Sequence, residues 1–176
     1  EGSVTVDGRD VRGYKIEELR QKIGMVPQRA VLFRGTIRDN MRVGNELADD
    51  VEIMEAVKRA QALEVVEGKP DGLDTMINEG GKNLSGGQRQ RLTIARALVR
   101  KPQILILDDS ASALDFATDA RLRKAVRDLK DMTVFVVSQR AASVMQADRI
   151  MVMDDGKLVG IGTHEELMEI GRASCR

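Results

Sequence analysis

Ser3-Val4-Thr5-Val6 alternates polar and apolar positions and runs into Asp7-Gly8, the signal of a strand closed by a tight turn. Apolar residues at Ile16, Leu19 and Ile23 then follow a helical spacing, and Gly24 stands where a C-terminal cap is expected. Met25-Val26 begins an extended stretch, and Pro27 excludes a helix there. From Thr36 to Gly68 the pattern is helical, with Ile53, Met54, Val57, Ala60 and Leu63 in phase. Pro70-Asp71-Gly72 reads as a turn and 79–87 as a Gly-rich loop. Residues 86–100 predict a strong helix. Leu92, Ala95, Leu98 and Val99 lie on one side; Arg89, Arg96 and Arg100 lie on the other, most simply a solvated face.

Pro102 ends that helix. Ile104-Leu105-Ile106-Leu107, closed by Asp108-Asp109, is a continuous apolar run, the pattern of a strand buried on both faces of a parallel sheet. A helix over about 118–130 precedes a second such strand, Thr133-Val134-Phe135-Val136-Val137. Ile150 to Met153 and Leu158-Val159 flank Asp154-Asp155-Gly156-Lys157, which predicts an antiparallel hairpin. Thr163 with Glu166 three residues later is a capping box opening a last helix. The expected fold class is α/β: a parallel sheet, an antiparallel hairpin and a helical insertion. The α/β core covers 1–33 and 101–176, and the helical part covers about 34–100.

Composition narrows the chemistry. The 176 residues carry 28 basic and 28 acidic side chains, so net charge provides no drive toward DNA, RNA or an anionic membrane. The aromatics are Tyr14, Phe33, Phe116 and Phe135, too few for the stacking platforms of single-strand binders. A lone Cys175 excludes an internal disulfide and a cysteine-rich zinc site, and His164 is the only histidine. No apolar run approaches the roughly 20 residues that span a bilayer.

Two segments carry chemistry. Leu84-Ser85-Gly86-Gly87-Gln88 leads into the helix at 86–100. A Gly pair allows close backbone approach, and a helix N-terminus offers unpaired N–H donors to an anion. Ser85 serves either as the N-cap or as a phosphate ligand, and in isolation the segment reads first as a capped helix after a loop. The second segment is the strand ending in Asp108-Asp109. A carboxylate at the C-terminal edge of a parallel strand stands where α/β proteins bind ligands. One Asp there suits Mg²⁺ beside phosphates and the next suits orienting or deprotonating water; the plainer reading is an acidic turn.

In this order, about twenty residues apart, the two segments resemble the nucleotide-binding domain of ABC transporters. Leu84 to Gln88 matches the signature, Ile104 to Asp108 the Walker B strand, and Ser112-Ala113-Leu114-Asp115 the D-loop. Val26-Pro27-Gln28 matches the Q-loop. Asn78-Glu79-Gly80-Gly81 and Leu32 to Asn40 resemble the exporter branch, including multidrug exporters. The resemblance implies a P-loop NTPase-like core with ATP and Mg²⁺ as ligands. Asp108 and Gln28 would hold the metal, and Asp109 and Gln28 would position or activate water. It also implies a head-to-tail sandwich of two such domains. There Ser85, Gly86, Gly87, Gln88 and Asp115 complete the partner's site, and closure on ATP drives attached transmembrane domains at the cytoplasmic face of the membrane. Gln28, Arg34 and Glu79 become candidates for coupling, with a solvated surface charge an equal reading for Arg34.

Three departures from the family pattern matter. No Gly-x-x-x-x-Gly-Lys-Ser/Thr occurs: Lys82 and Lys157 follow a Gly, but neither has the rest of the motif. In the family that loop lies upstream of a strand like 3–6, so the chain is expected to begin just after it, and the adenine-stacking aromatic would lie upstream too. Asp109 stands where the family usually has Glu, a side chain shorter by one C–C bond, about 1.5 Å. Gln139 follows Ser138 where the switch His normally stands, and an amide cannot carry positive charge. His164 fits the surface beside the last helix cap better than a site. Together, the changes at 109 and 139 beside an intact signature resemble the degenerate half of a heterodimeric exporter. Two other readings stand beside it: a DNA- or RNA-associated ABC-type ATPase, opposed by the charge balance and the 32–40 segment, and a structural partner that does not hydrolyse ATP.

Overall fold

A computed structural model describes residues 2–110, 113–129 and 131–174, with side chains described as far as residue 169. Glu1, Ser112, Lys130 and Cys175 therefore lie outside the described residues. The chain forms two compact units, residues 1–137 and 138–176.

The first unit opens with β1 (Thr5–Val6) and β2 (Arg9–Asp10), paired antiparallel. Asp7 and Gly8 between them both have positive φ, 50° and 76°, as a two-residue hairpin turn of this hand requires. Helix α1 (Ile16–Lys22) runs directly into β3 (Ile23–Val26). Gly24 is thus a strand residue rather than the helix cap expected from its position. A Cβ at Gly24 would sit 2.8 Å from Pro102 Cγ and 3.3 Å from the Ala97 carbonyl oxygen. Glycine is needed there for close packing against the chain that follows the long helix, not for a left-handed turn.

β4 (Gly35–Thr36) leads into α2 (Ile37–Arg42), followed by α3 (Asp50–Arg59) and α4 (Leu63–Glu67). The helical stretch expected from 36 to 68 is thus three helices. The first two begin with a capping box, Thr36 with Asp39 and Asp49 with Glu52. β5 (Met76–Ile77) pairs antiparallel with β4. Then come α5 (Gly86–Val99), β6 (Ile104–Asp108), α6 (Phe116–Arg127) and β7 (Thr133–Val137).

β3, β6 and β7 form a parallel sheet in that order, with Val26 opposite Leu107 and Leu107 opposite Val136. β6 is central, and its alternate residues Leu105 and Leu107 are buried. β7 departs from expectation. It has a neighbour on one side only among the described residues, and Phe135, Val136 and Val137 are exposed. An apolar run therefore marks the strand type but not how many faces the rest of the molecule covers. The core lies where α5 packs against α3: Leu92, Ile94 and Ala95 of α5 and Ile53 and Val57 of α3 belong to one buried cluster, all nearly inaccessible.

The second unit contains α7 (Ala141–Val144), the antiparallel hairpin of β8 (Ile150–Asp154) and β9 (Lys157–Gly162), and α8 (His164–Ser174). Asp155 and Gly156 repeat the positive-φ turn, at 45° and 72°. The Thr163–Glu166 capping box is present: Glu166 accepts from the Thr163 N–H at 2.8 Å, and the Glu166 N–H donates to the Thr163 hydroxyl at 3.3 Å.

Candidate functional site

Ser85 is the N-cap of α5. Its hydroxyl accepts from the Gln88 N–H at 3.2 Å, and the Gln88 side chain accepts from the Ser85 N–H at 3.0 Å. The cap and phosphate readings of Ser85 thus meet in one residue: the box satisfies two backbone donors and holds the exposed Ser85 at the helix mouth. Gly86 and Gly87 form the first turn. A Cβ on Gly87 would lie 3.4 Å from the Ala113 carbonyl oxygen and 3.7 Å from Leu114, so the signature turn packs against the D-loop of the same chain.

The loop before α5 is tied from several directions. The Arg89 guanidinium donates to the carbonyls of Leu84 at 2.8 Å and Gly81 at 3.3 Å. The Gly80 N–H donates to the Leu32 carbonyl at 3.1 Å. Gly80 and Gly81 both lie in the left-handed region, at φ 70° and 69°. A Cβ on Gly81 would press within 2.6 Å of Arg89 Cδ, so glycine there serves both the turn and the packing.

Asp108 and Asp109 stand at the carboxyl end of β6, both half-buried. Asp108 pairs with Val137 in the sheet, and the Asp109 N–H still donates to the Val137 carbonyl at 2.8 Å. Asp109 has a positive φ of 42°, a conformation that Asp tolerates better than most residues. The Gln28 amide, two residues beyond β3, donates to Asp109 Oδ2 at 3.2 Å. Parallel pairing of β3 with β6 thus brings together two candidates 81 positions apart. Asp115 caps α6 by accepting from the Thr118 N–H at 2.9 Å, and this hydrogen bonding at Thr118 holds its carboxyl below the ordinary range.

Gln139 belongs to the second unit, exposed between β7 and α7. His164 is the first residue of α8 and half-buried. Arg34 and Glu79 are exposed, on the chain before β4 and in the loop before α5.

The arginine stripe of α5 and its C-cap is a solvated face only in part: Arg100 is exposed, whereas Arg89 and Arg96 are half-buried. Arg89 holds the signature loop, Arg100 donates to the carbonyls of Gly44 at 3.0 Å and Arg20 at 2.9 Å, and Arg96 sits over Phe33 at 5.4 Å. Each long side chain bridges to a neighbouring element, which helical periodicity does not reveal. Sequence reasoning also missed Asn40. It is buried on α2, accepts from the Phe33 N–H at 2.8 Å, and donates to the carbonyls of Phe33 at 3.0 Å and Thr36 at 2.9 Å. The available signal was its position between Ile37 and Met41 on a face that is otherwise apolar.

A central parallel strand that delivers two acidic residues at its carboxyl end, in a chain that also presents a glycine-opened helix, defines a nucleotide-binding type of α/β domain. Comparison with known proteins makes this specific. The ABC transporter family model matches residues 1–112. The chain is 47% identical over 172 residues to the ABC-type transporter fsqE of Aspergillus fumigatus, covering 96% of this chain and 13% of that protein. It is 45% identical over 171 residues to an ATP-dependent lipid A-core flippase of Desulfotalea psychrophila, covering 97% of this chain and 30% of the flippase. It superposes on the structure of a bacterial Atm1-family ABC exporter with ATP bound, with a TM-score of 0.92 and 36% identity, covering 97% of this chain and 30% of that one. The chain belongs to the ABC transporter family and corresponds to an ATP-binding region of its exporters. It spans less than a third of the length of these relatives.

Proposed function

We infer that this chain is the ATP-binding part of an ABC exporter half whose own hydrolytic site is degenerate and whose signature loop completes the competent site of a partner chain. The observation that carries this reading is the contrast between the two ends. The signature turn is intact and doubly capped with Ser85 exposed, whereas the position beyond the Walker B strand holds the short Asp109, whose side chain is bonded to Gln28 among the described residues. A general base must reach the proton it abstracts, and a misplacement of about 1 Å can cost about 10²-fold. Gln139, at the switch position of the family pattern, cannot supply positive charge.

The donor set suits Mg²⁺. Asp108 offers a carboxylate and Gln28 an amide oxygen, both hard ligands, and Mg²⁺ is commonly held by one or two carboxylates plus substrate phosphates. When bound, the ion would supply charge neutralisation between phosphates. Among the described residues no group of three or more His, Cys, Asp or Glu is placed to hold a metal by itself, consistent with an ion shared with nucleotide. Asp109 would orient water weakly, and Ser85, Gly86, Gly87, Gln88 and Asp115 would face the partner's nucleotide.

The partners in this reading are a second, non-identical nucleotide-binding domain and the transmembrane domains of the transporter, with this domain at the cytoplasmic face. Among the described residues no helix is long and apolar enough to cross a membrane, so any spanning segment would be supplied outside them. The helical part, about 34–100, would face the membrane domains, with Gln28, Arg34 and Glu79 coupling it to the core. These 176 residues hold no phosphate loop and on their own should bind ATP negligibly; clear micromolar affinity by calorimetry would contradict that.

The decisive experiment uses the intact heterodimer. Asp109→Glu combined with Gln139→His should raise turnover at this site, and Ser85→Ala should reduce total ATPase more than Asp109→Ala does. If Ser85→Ala left total ATPase untouched, the assignment would be wrong.

A further inference from the structure

Arg91 lies in the second turn of α5, with its side chain only 11% exposed. Its guanidinium faces two parts of the fold at once. Nε donates to the Gly87 carbonyl at 3.3 Å, within the signature turn itself. Nη1 donates to the Gln61 carbonyl at 2.5 Å and to the Glu64 carboxylate, 30 and 27 positions away along the chain. Gln61 forms the corner between α3 and α4 and lies in the left-handed region, at φ 57°. Its N–H donates to the Lys58 carbonyl at 3.0 Å, and the Ala62 N–H donates to the Val57 carbonyl at 2.9 Å. The corner is thus fastened to the end of α3, and one side chain ties the signature turn to it.

The turn needs such a tie. Gly86 and Gly87 carry no side chains with which to pack, and glycine is a poor helix former. The box between Ser85 and Gln88 satisfies donors at the helix mouth but reaches no other helix. A guanidinium is a planar fork, so bonds from its Nε and its Nη1 fix the two acceptors relative to each other. Glu64 then holds the fork in that pose through a charge-assisted bond. Burial raises the Glu64 carboxyl, but hydrogen bonds from Arg91 and the Glu64 backbone, with the nearby charges of Arg91 and Arg121, bring it below its ordinary range. Arg121 belongs to α6, the helix that Asp115 of the D-loop caps, and donates to the Thr118 hydroxyl at 3.2 Å.

We propose that Arg91 is a positioning residue for the partner chain's ATP: by bonding the Gly87 peptide to the α3–α4 corner, it sets where the signature turn meets that nucleotide. This rests on the reading of the signature loop as the completion of a partner's site, and adds to it the side chain that aims the loop. Arg91 acts through Gly87 and needs no contact with the nucleotide. A misplacement of about 1 Å can cost about 10²-fold in rate. In that reading the signature meets the nucleotide only on closure of the two domains, so a loss of aim lowers kcat rather than raising KM. Lysine at this position would keep the charge but could not bridge Gly87 and Gln61 together.

The test measures ATPase kinetics and thermal melts of the intact heterodimer carrying Arg91→Lys, Arg91→Gln, Ser85→Ala, or Ser85→Ala with Arg91→Gln. Arg91→Gln should lower kcat about tenfold with KM for ATP changed less than about twofold, and Arg91→Lys should lower kcat about threefold with an unshifted melting midpoint. With Ser85→Ala already present, Arg91→Gln should lower kcat by less than a further factor of about two, because both changes act on one contact. A purely structural arginine would lower the melting midpoint and leave kcat per folded heterodimer intact, and that result overturns the proposal. A full tenfold further loss with Ser85→Ala present overturns it too. Should Arg91→Gln fail to fold, Arg91→Lys decides: wild-type kcat there refutes the bridge, because charge alone would then suffice. If Ser85→Ala lowers total ATPase and neither Arg91 variant does, the signature reading stands and only the role of Arg91 falls. If Ser85→Ala leaves it untouched, both fall.

Discussion

At the amino end of α5, Ser85 and Gln88 exchange two hydrogen bonds, Arg89 reaches back to Leu84 and Gly81, and Gly87 lies against the D-loop. At the carboxyl end of β6, the Asp109 side chain has one hydrogen bond among the described residues, 3.2 Å from the exposed Gln28. The first end is over-determined by its own chain, as the proposed role of completing a partner's nucleotide site would require. The second is held by its backbone, through Val137 and a left-handed residue, while its side chain keeps a single loose partner. Order at the signature end is structural; at the Asp109 end, in the proposed reading, it would come with bound nucleotide.

Substitutions at five positions break or sharpen that contrast. Leu92→Ala, in the fully buried face of α5, should destabilise the chain by about 3 kcal/mol, read as a shift of the denaturant midpoint. Gly81→Ala combines a positive φ with a Cβ pressed onto Arg89, and should cost about 2 kcal/mol; a neutral result would mean that Arg89 is not what shapes the loop. Ser85→Ala removes the cap and should cost about 1 kcal/mol, with Ser85→Asp recovering most of it in the isolated chain. Gln28→Ala should change stability by less than about 0.5 kcal/mol, because its bond to Asp109 is exposed; a larger loss in a thermal melt would show that the Asp109 end is also structurally fixed.

The smallest effect is a pH dependence. Asp115 is held below the ordinary carboxylate range by its hydrogen bonding at Thr118. Its folded value is depressed, so its contribution is present above the unfolded value of about 3.9 and is lost as pH falls through the folded value. Asp115→Asn, which keeps a capping side chain, should flatten that acid limb of the melting curve while leaving the neutral-pH midpoint nearly unchanged. An unchanged acid limb would remove Asp115 from the account.

Much of the candidate site was legible as local chemistry. Ser85 with Gln88, the turn at Asp7-Gly8, and Thr163 with Glu166 act within a few residues of themselves, so their spacing carries their roles. Asp108 and Asp109 were legible because an apolar run ending in acids reads as a strand with a polar end. Gln28 stood out only through its place in the family pattern, and its contact with Asp109 crosses 81 positions. The expected solvated stripe holds for exposed Arg100 but not for Arg89 and Arg96, which are half-buried. Helical phase reports which side a residue leaves from, but a long cationic side chain can turn to carbonyls or a ring on another element.

By itself, then, the sequence determined the main helices and strands, the turns at Asp7-Gly8 and Asp155-Gly156, the caps at Ser85 and Thr163, the identity of the residues at the signature and Walker B positions, and the substitutions at 109 and 139. Each depends on neighbours within one or two helical turns or on residue identity alone. Tertiary structure alone decided that Gly24 is a packing residue under Pro102, that β7 has exposed apolar residues, that Gln28 meets Asp109, and that the Nη1 of half-buried Arg96 is shielded from water with no acceptor among the described residues. Those outcomes follow from which elements pack together, and packing is set by the summed burial of α3, α5 and the parallel sheet rather than by any local pattern.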